Sequence, residues 1–396
     1  MKKYKNSILL AATKDSAFAL GTMLVNIKEK MLVDMFYIVN DGFSDEDKKA
    51  MGKIVNEGGG GLSKIKFIHF TQKDFLERLK LFDEEKLLLQ NDSFLKRYTF
   101  MSYAMFEAFN LLGESENVLY LDFDILLLKP IDELFGIKAP FCADRGKNTV
   151  KALVPHYEGK FSDERVYRTG VVCFSNFIQN PKTCYDFIYK SSAKYNFIND
   201  QVAFSLLVYE YKIKVKVLKR DKYAGELFYR QNRQASLIHA YGSKNRFWNN
   251  KLAHQLFPQW SEYYKKWLEF GGSAYTNGFL ADTTYVLQRV RFHLAYKLGY
   301  AMIRFKTPFG CVLLPFVLTY IFLAHKIEQK LYEREIKIKP HLKLPPLQQY
   351  PDFASCKEKE SMPYKLGLAI IKAYKTWYKG TLVKFLFEIK KIKTKN

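Results

Sequence analysis

Up to about residue 250 the chain alternates short apolar, β-branched runs with longer stretches in which apolar side chains recur every three or four positions. Short continuous apolar runs read as strands and the 3.6-residue spacing as helices, so the pattern predicts an α/β sheet with mostly parallel strands. The predicted strands are Ser7–Ala12, Met35–Val39, Lys66–Phe70, Val118–Asp122, Gly170–Ser175, Lys214–Leu218 and Leu237–His239. Between them, helical spacing covers Ser16–Lys30, Ser44–Glu57, Gln72–Lys80, Leu95–Leu112, Pro181–Tyr195 and Asp200–Tyr209. Ser44, three residues ahead of Asp47, has the form of a helix N-cap, and the glycines Gly58–Gly61 end that helix. No Lys-Ser/Thr follows those glycines and no helix starts there, so they read as a connector and not as a phosphate loop. No repeat of 20–50 residues is present.

After about residue 260 the pattern changes to aromatic and basic helical segments. Cys311–Ala324 is apolar but interrupted by Pro315, and it falls short of the roughly 20 residues a spanning helix needs, so no crossing is expected. Tyr364–Lys395 mixes Leu, Ile, Phe and Trp377 with lysines at helical spacing, as a helix lying in a membrane interface does. The change predicts two parts, a catalytic domain over 1–260 and a helical basic region over 261–396.

Charge sharpens this division. A formal net charge of +23 on 396 residues suits either nucleic acid or an anionic membrane. Residues 281–396 carry 22 Lys/Arg against 8 Asp/Glu, an excess of +14, so most of the charge lies in the aromatic-basic tail. That placement points to an anionic membrane surface and to no nucleic-acid partner. The five cysteines, Cys142, Cys173, Cys184, Cys311 and Cys356, are odd in number and never form a C-x-x-C pair, against a disulfide framework or a structural zinc site. Met1-Lys2-Lys3 followed by Ile8–Ala12 imitates the start of a signal peptide, but the apolar run stops at Thr13-Lys14-Asp15 and reads as a first buried strand. The expected location is cytoplasmic, peripheral on the inner face of the cell membrane.

The candidate chemistry sits in Asn117–Leu128, an apolar run that contains Asp122 and Asp124 around Phe123. An ionised carboxylate buried among apolar side chains is costly unless paired or bound to a cation, and a divalent metal would serve both. In extended backbone, residues two apart face the same side, so the pair could address one ion and through it a diphosphate. Asp-x-Asp alone is common; its place inside an apolar run, ahead of Lys129-Pro130-Ile131-Asp132-Glu133-Leu134-Phe135, favours the metal over a capping or solvated role.

Residues 118–135 resemble glycosyltransferase family 8, which includes glycogenin and bacterial lipooligosaccharide α-galactosyltransferases and carries V-L-Y-L-D-x-D followed by P-hydrophobic-D-E-L-F. The resemblance runs from about Ile8 to Trp248. It implies a GT-A-type fold, with a mixed, mostly parallel sheet flanked by helices, and transfer of galactose or glucose from a UDP-sugar to a glycan or lipid-linked acceptor. It also implies Mn²⁺ (or Mg²⁺) dependence and retention of configuration. Ser236–Trp248 is similar to the family's second metal motif, which makes His239 the third ligand, an O,O,N set suited to Mn²⁺. Gly242 then allows close backbone approach, and Lys244 or Arg246 neutralises the departing diphosphate. Ala11, Ala12, Thr13 and Asp15 resemble the segment that holds uracil and ribose, at the carboxyl ends of the strands. Asn199-Asp200-Gln201 resembles the D-Q motif beside the donor sugar, which gives Asp200 and Gln201 catalytic roles; the same residues also fit a helix N-cap.

The chain departs from the family at two places. Arg168-Thr169-Gly170-Val171 stands where the family has N-A-G-V, and Met105 follows Tyr103-Ala104 where a donor-touching cation is usual, with Arg97 a substitute. Two other classes are weighed. A nucleotidyl- or phosphoryl-transferase would also pair carboxylates with a metal, but would show further acidic ligands or a phosphate loop. A non-catalytic membrane-binding protein would explain the tail and leave Asp122 and Asp124 without a reason.

Overall fold

The computed structural model describes residues 3–57, 63–82, 100–195, 199–223, 225–226, 235–242, 245–275, 289–305, 307–338, 346–349 and 357–376. Gly58–Gly61, Arg97, Lys244 and Trp377 lie outside the described residues. The chain divides into two compact units, Met1–Trp248 with Phe257–Asn277, and Asn249–Leu256 with Gly278–Asn396.

Among the described residues, the first unit contains ten strands: β1 (Tyr4–Ala12), β2 (Met35–Asn40), β3 (Lys64–His69), β4 (Ser115–Leu121), β5 (Ile125–Leu127), β6 (Phe141–Thr149), β7 (Arg165–Ser175), β8 (Val215–Val217), β9 (Gly225–Glu226) and β10 (Leu237–His239). Seven form one sheet in the order β3-β2-β1-β4-β7-β6-β8. The pairs β1–β2, β2–β3, β1–β4 and β6–β8 are parallel, and only β7 runs against the rest. Residues 7–12 of β1 and all of β2 are buried without alternation, as strands covered by helices on both faces must be. Among the helices around it are α1 (Ala17–Lys30), α2 (Asp45–Glu57), α3 (Gln72–Lys80), α4 (Pro181–Lys194), α5 (Asp200–Glu210) and α6 (Pro258–Glu269). This is the mixed, mostly parallel GT-A-type arrangement.

Local chemistry explains the element ends. The Ser44 hydroxyl accepts from Asp47 N at 3.1 Å, and Thr71 with Asp74 forms a capping box at the start of α3. Gly21 on α1 lets the indole of Trp267 on α6 lie against the helix backbone; any side chain there would collide with the ring. On the opposite face, Phe75, Phe106, Phe141, Phe174 and Phe204 belong to one apolar core.

The structure corrects several readings of the pattern. Asp122 and Asp124 do not share one extended strand: β4 ends at Leu121, a turn follows, and Ile125–Leu127 joins a separate three-stranded sheet, β5-β10-β9. The apolar run is continuous in sequence because both strands are buried, which hides the corner between them. Strand β6 carries Asp144, Arg145 and Lys147 and so lacks an apolar signature. Among the described residues of the predicted helix at 95–112, residues 100–107 form a 3₁₀ helix and Ala108–Leu111 is α-helical.

The second unit contains α7 (Leu294–Arg304), α8 (Pro308–Ile338) and α9 (Met362–Lys375). The expectation that Pro315 interrupts the apolar stretch is overturned, because α8 continues through it for 31 residues. A proline removes one amide donor and bends a helix without always ending it; Thr319 Oγ1 donates to the Pro315 carbonyl at 2.9 Å. Val312–Arg334 is long and apolar enough, by length and composition, to cross a membrane.

Candidate active site

The reversed direction of β7 creates the site. Its first residues project past the carboxyl end of β4, so Gly170 O accepts from Asp122 N at 2.9 Å. On the other side of the turn, β5 pairs antiparallel with β10 and sets Ile125 opposite His239. Ala240 N donates to Asp124 O at 2.9 Å, which locks the corner to β10. Asn26 of α1 clamps β5 from behind: its Oδ1 accepts from Leu127 N at 2.7 Å and its Nδ2 donates to Leu127 O at 3.1 Å.

These backbone contacts bring three ligand-type side chains together. His239 Nε2 lies 3.2 Å from Asp122 Oδ2 and 3.0 Å from Asp124 Oδ1. One ligand atom from each of the three falls within 4.8 Å of the others, and this is the one such cluster among the described residues. Gly170 makes room for it, since a side chain there would strike the His239 ring and the Asp122 carboxylate. Tyr120 donates to Asp122 Oδ1 at 2.8 Å and fixes the rotation of that carboxyl group.

The electrostatics show what the cluster demands. Burial works against a charged His239, yet the carboxylates of Asp124 and Asp122 outweigh it and raise the imidazole to about 10. Burial likewise opposes ionisation of Asp124, but His239 and Arg246 hold it below the usual carboxylate range. In the metal-free chain the imidazolium thus takes the place of a cation between two carboxylates. The mixed donors, their spacing and the glycine gap all fit a divalent ion.

Arg246 stands beside this cluster, Nε 3.5 Å from Asp124 Oδ2. Its guanidinium lies 5.0 Å from the Phe123 ring centroid and 5.5 Å from that of Trp248, and these two rings stack at 6.0 Å. A cation over aromatic faces keeps its charge while losing little rotamer freedom. Phe123 is therefore a platform for Arg246. Gly242 has φ +87°, a left-handed turn that suits glycine, and Asn245 N closes it on Gly242 O at 2.9 Å.

Asp200 opens α5, where the Asn199 side chain caps by accepting from Val202 N at 2.9 Å. Burial, with the Asp122 charge in support, raises the Asp200 carboxyl to about 6 against the opposing effect of the Thr169 hydroxyl, which donates to its Oδ2. Neighbouring Arg168 reaches Asp144 at 3.7 Å and stacks 5.5 Å over Tyr241. The substitutions away from N-A-G-V thus have structural partners. Ala11 and Ala12 are buried at the end of β1, and Lys14 N donates to Asp41 Oδ1 at 2.6 Å in the adjoining loop. Asp15 is exposed and Gln201 half-buried next to Asp200.

The sequence profile described as Glycosyl transferase family 8 matches residues 7–216. The chain belongs to glycosyl transferase family 8. It is a glycosyltransferase. A second profile, described as Domain of unknown function (DUF8374), matches residues 179–396. No curated protein matches the chain. Among solved structures this family 8 chain is similar to galactosyltransferase LgtC in complex with donor and acceptor sugar analogues, at 15% identity over 65% of this chain and 95% of that one, with a TM-score of 0.46. It is also similar to the bifunctional glycosyltransferase WbbM, at 10% identity over 68% and 50% of the two chains and TM-score 0.46. Glycosyltransferase GlyE of Streptococcus pneumoniae TIGR4 matches at 12% identity over 68% and 64%, TM-score 0.43.

Within the family 8 chain, the structure gathers Asp122, Phe123, Asp124, His239 and Arg246, and places Gly170 against them. Sequence reading missed Tyr120, Asn26 and the aromatic pair, Phe123 and Trp248, beside Arg246. Tyr120 carries a usable signal, because position i−2 in a strand shares a face with Asp122. Asn26 carries none, since its partner is a backbone group 101 residues away.

Proposed function

We propose that this glycosyltransferase transfers galactose or glucose from a UDP-sugar to a glycan or lipid-linked acceptor such as lipooligosaccharide, with retention of anomeric configuration and dependence on Mn²⁺ or Mg²⁺. The observation that carries the reading is the convergence of Asp122, Asp124 and His239 at the carboxyl end of β4, beside Arg246 and across from Asp200. Asp122, Asp124 and His239 would hold the ion, which supplies charge neutralisation for a diphosphate.

The remaining steps belong to side chains of the chain itself. Ala11, Ala12, Thr13 and Asp15 bound the pocket for base and ribose, with backbone groups of the β1 loop doing the recognition. Arg246, pre-oriented by Phe123 and Trp248, offers a fixed cation to the departing β-phosphate, with Gly242 letting the backbone approach it and Lys244 as a second donor. Asp200 is ionised above about pH 6 and presents negative charge to the oxocarbenium-like sugar carbon, with Gln201 beside it. The sugar C1–O bond to UDP breaks, the acceptor hydroxyl oxygen bonds to C1, and its proton leaves with the product phosphate or to solvent. Residues 1–260 serve as the catalytic domain. The basic region 261–396 holds the enzyme on an anionic membrane surface, the inner face of the cell membrane, and nucleic acid is no partner.

A ligand that binds the folded chain raises its Tm by mass action. Thermal shifts with UDP-, GDP- and CMP-sugars, each with and without Mn²⁺, should show the largest rise for UDP-galactose or UDP-glucose with the metal. Equal shifts for all three bases, or none with any, would contradict the donor assignment.

A further inference from the structure

The sequence puts Tyr364–Lys395 at the membrane surface; α8 offers a second element for that role, and this inference rests on the membrane-surface reading. On α8, Phe309, Val312, Phe316, Tyr320, Leu323 and Ile327 are each between 53% and 75% exposed. They follow one another at steps of three and four, so they lie along one face as a single apolar stripe. A contiguous exposed stripe of large apolar side chains on a helix marks a surface that another phase or molecule covers.

Charge selects the occupant. The region 281–396, to which α8 belongs, has an excess of +14, which repels a second copy of itself and attracts an anionic lipid surface. Arg304 precedes the stripe and Lys326 and Lys330 follow the apolar stretch, where headgroups would meet them.

The packing of the far end of α8 decides between crossing and lying in one leaflet. Phe309–Ala324 carries no charged residue and at 1.5 Å per residue spans roughly 24 Å, less than the roughly 30 Å of bilayer hydrocarbon. Extending the crossing would bury Lys326 and Glu328, and Glu328 Oε2 is held 2.8 Å from Lys297 Nζ on α7. Phe322 also meets the Tyr374 ring of α9 at 6.0 Å between centroids. The helices α7 and α9 are interlocked, with Gly299 against the Pro363 carbonyl and Gly367 against that of Ala295, positions where only glycine fits. The far end of the apolar stretch is thus tied to the helical body of α7 and α9, and its near end follows Arg304 of α7 within a few residues, so a crossing would draw that charged body into the bilayer.

We infer that α8 inserts its Phe309–Ile327 stripe into one leaflet of an anionic bilayer without crossing it. The protein is thereby held by apolar insertion as well as by charge.

The test uses the full-length chain and vesicles of equal parts phosphatidylglycerol and phosphatidylcholine. Wild type should co-sediment with the vesicles and remain partly bound at high salt. The double variant Phe309→Glu and Phe316→Glu, at two exposed positions, should keep its Tm and lose on the order of tenfold or more in partitioning. A cysteine placed by Lys337→Cys should stay reactive, above the parent chain's background, toward an impermeant maleimide added outside sealed vesicles. If wild type ignores the vesicles, the membrane-surface reading itself is wrong. If wild type binds and the double variant binds as tightly, or if Cys at 337 is shielded, that reading survives and the one-leaflet insertion of α8 does not. A wild-type dimer without lipid that the same substitutions make monomeric assigns the stripe to a second copy and overturns the inference.

Discussion

His239 carries the clearest consequence of the site's electrostatics. Its folded pKa of about 10 lies above the ordinary 6.5, so near neutral pH a metal must displace a proton from the ring to use its nitrogen. Apparent Mn²⁺ affinity should therefore climb about tenfold per pH unit between pH 6.5 and 8, the direction set by proton release. Calorimetric titration at several pH values measures this, and His239→Ala should bind more weakly with a flatter pH response. Asp200 adds a second loss in the same direction, because its raised pKa of about 6 makes turnover fall as pH drops through that value. The Thr169 hydroxyl stabilises the ionised carboxylate, so Thr169→Val should move the acidic limb of kcat/KM to higher pH and Thr169→Ser should restore it. An unshifted limb in Thr169→Val separates Asp200 from the chemistry.

At the scale of elements, most of the central sheet was legible, because β1, β2, β4 and β7 are buried and read as uninterrupted apolar runs. The helices α1 and α2 were legible from the three-to-four-residue spacing of their apolar side chains, with the Ser44 cap marking an end. The small sheet was not. Strand β5 is three residues long and follows β4 after a three-residue turn, so no break in hydropathy separates them, and the pairing of Ile125 with His239 spans more than a hundred residues. The grouping of Asp122, Asp124 and His239 was readable in part: two carboxylates in an apolar run demand a partner, and His239 followed from the family resemblance, while the geometry that joins them is tertiary. Asn26 is the hidden support of that geometry. Asn26→Ala leaves a buried amide and carbonyl of Leu127 unpaired and should lower stability by about 2 kcal/mol. Chemical denaturation checks the loss, and metal affinity should drop with it as β5 loosens.

On the scale of the whole molecule, composition divides the chain into one part carrying the carboxylates and another carrying most of the positive charge, to which the two different tasks are proposed to belong. What it concealed was the continuity of α8, because a proline inside an apolar stretch reads as an end when neighbouring turns in fact carry the helix through. The first unit holds every residue gathered at the carboxyl end of β4, so the proposed chemistry depends on whether that cluster needs an ion. The most direct measurement is UDP release from UDP-galactose and UDP-glucose by full-length chain stripped with EDTA, followed as Mn²⁺ is restored, for wild type, Asp122→Asn and Asp124→Asn. Turnover should be absent without metal, return in wild type as Mn²⁺ is restored, and fall on the order of a thousandfold in both variants at unchanged Tm. Turnover that ignores EDTA, or that survives in both variants, would contradict the proposed metal dependence.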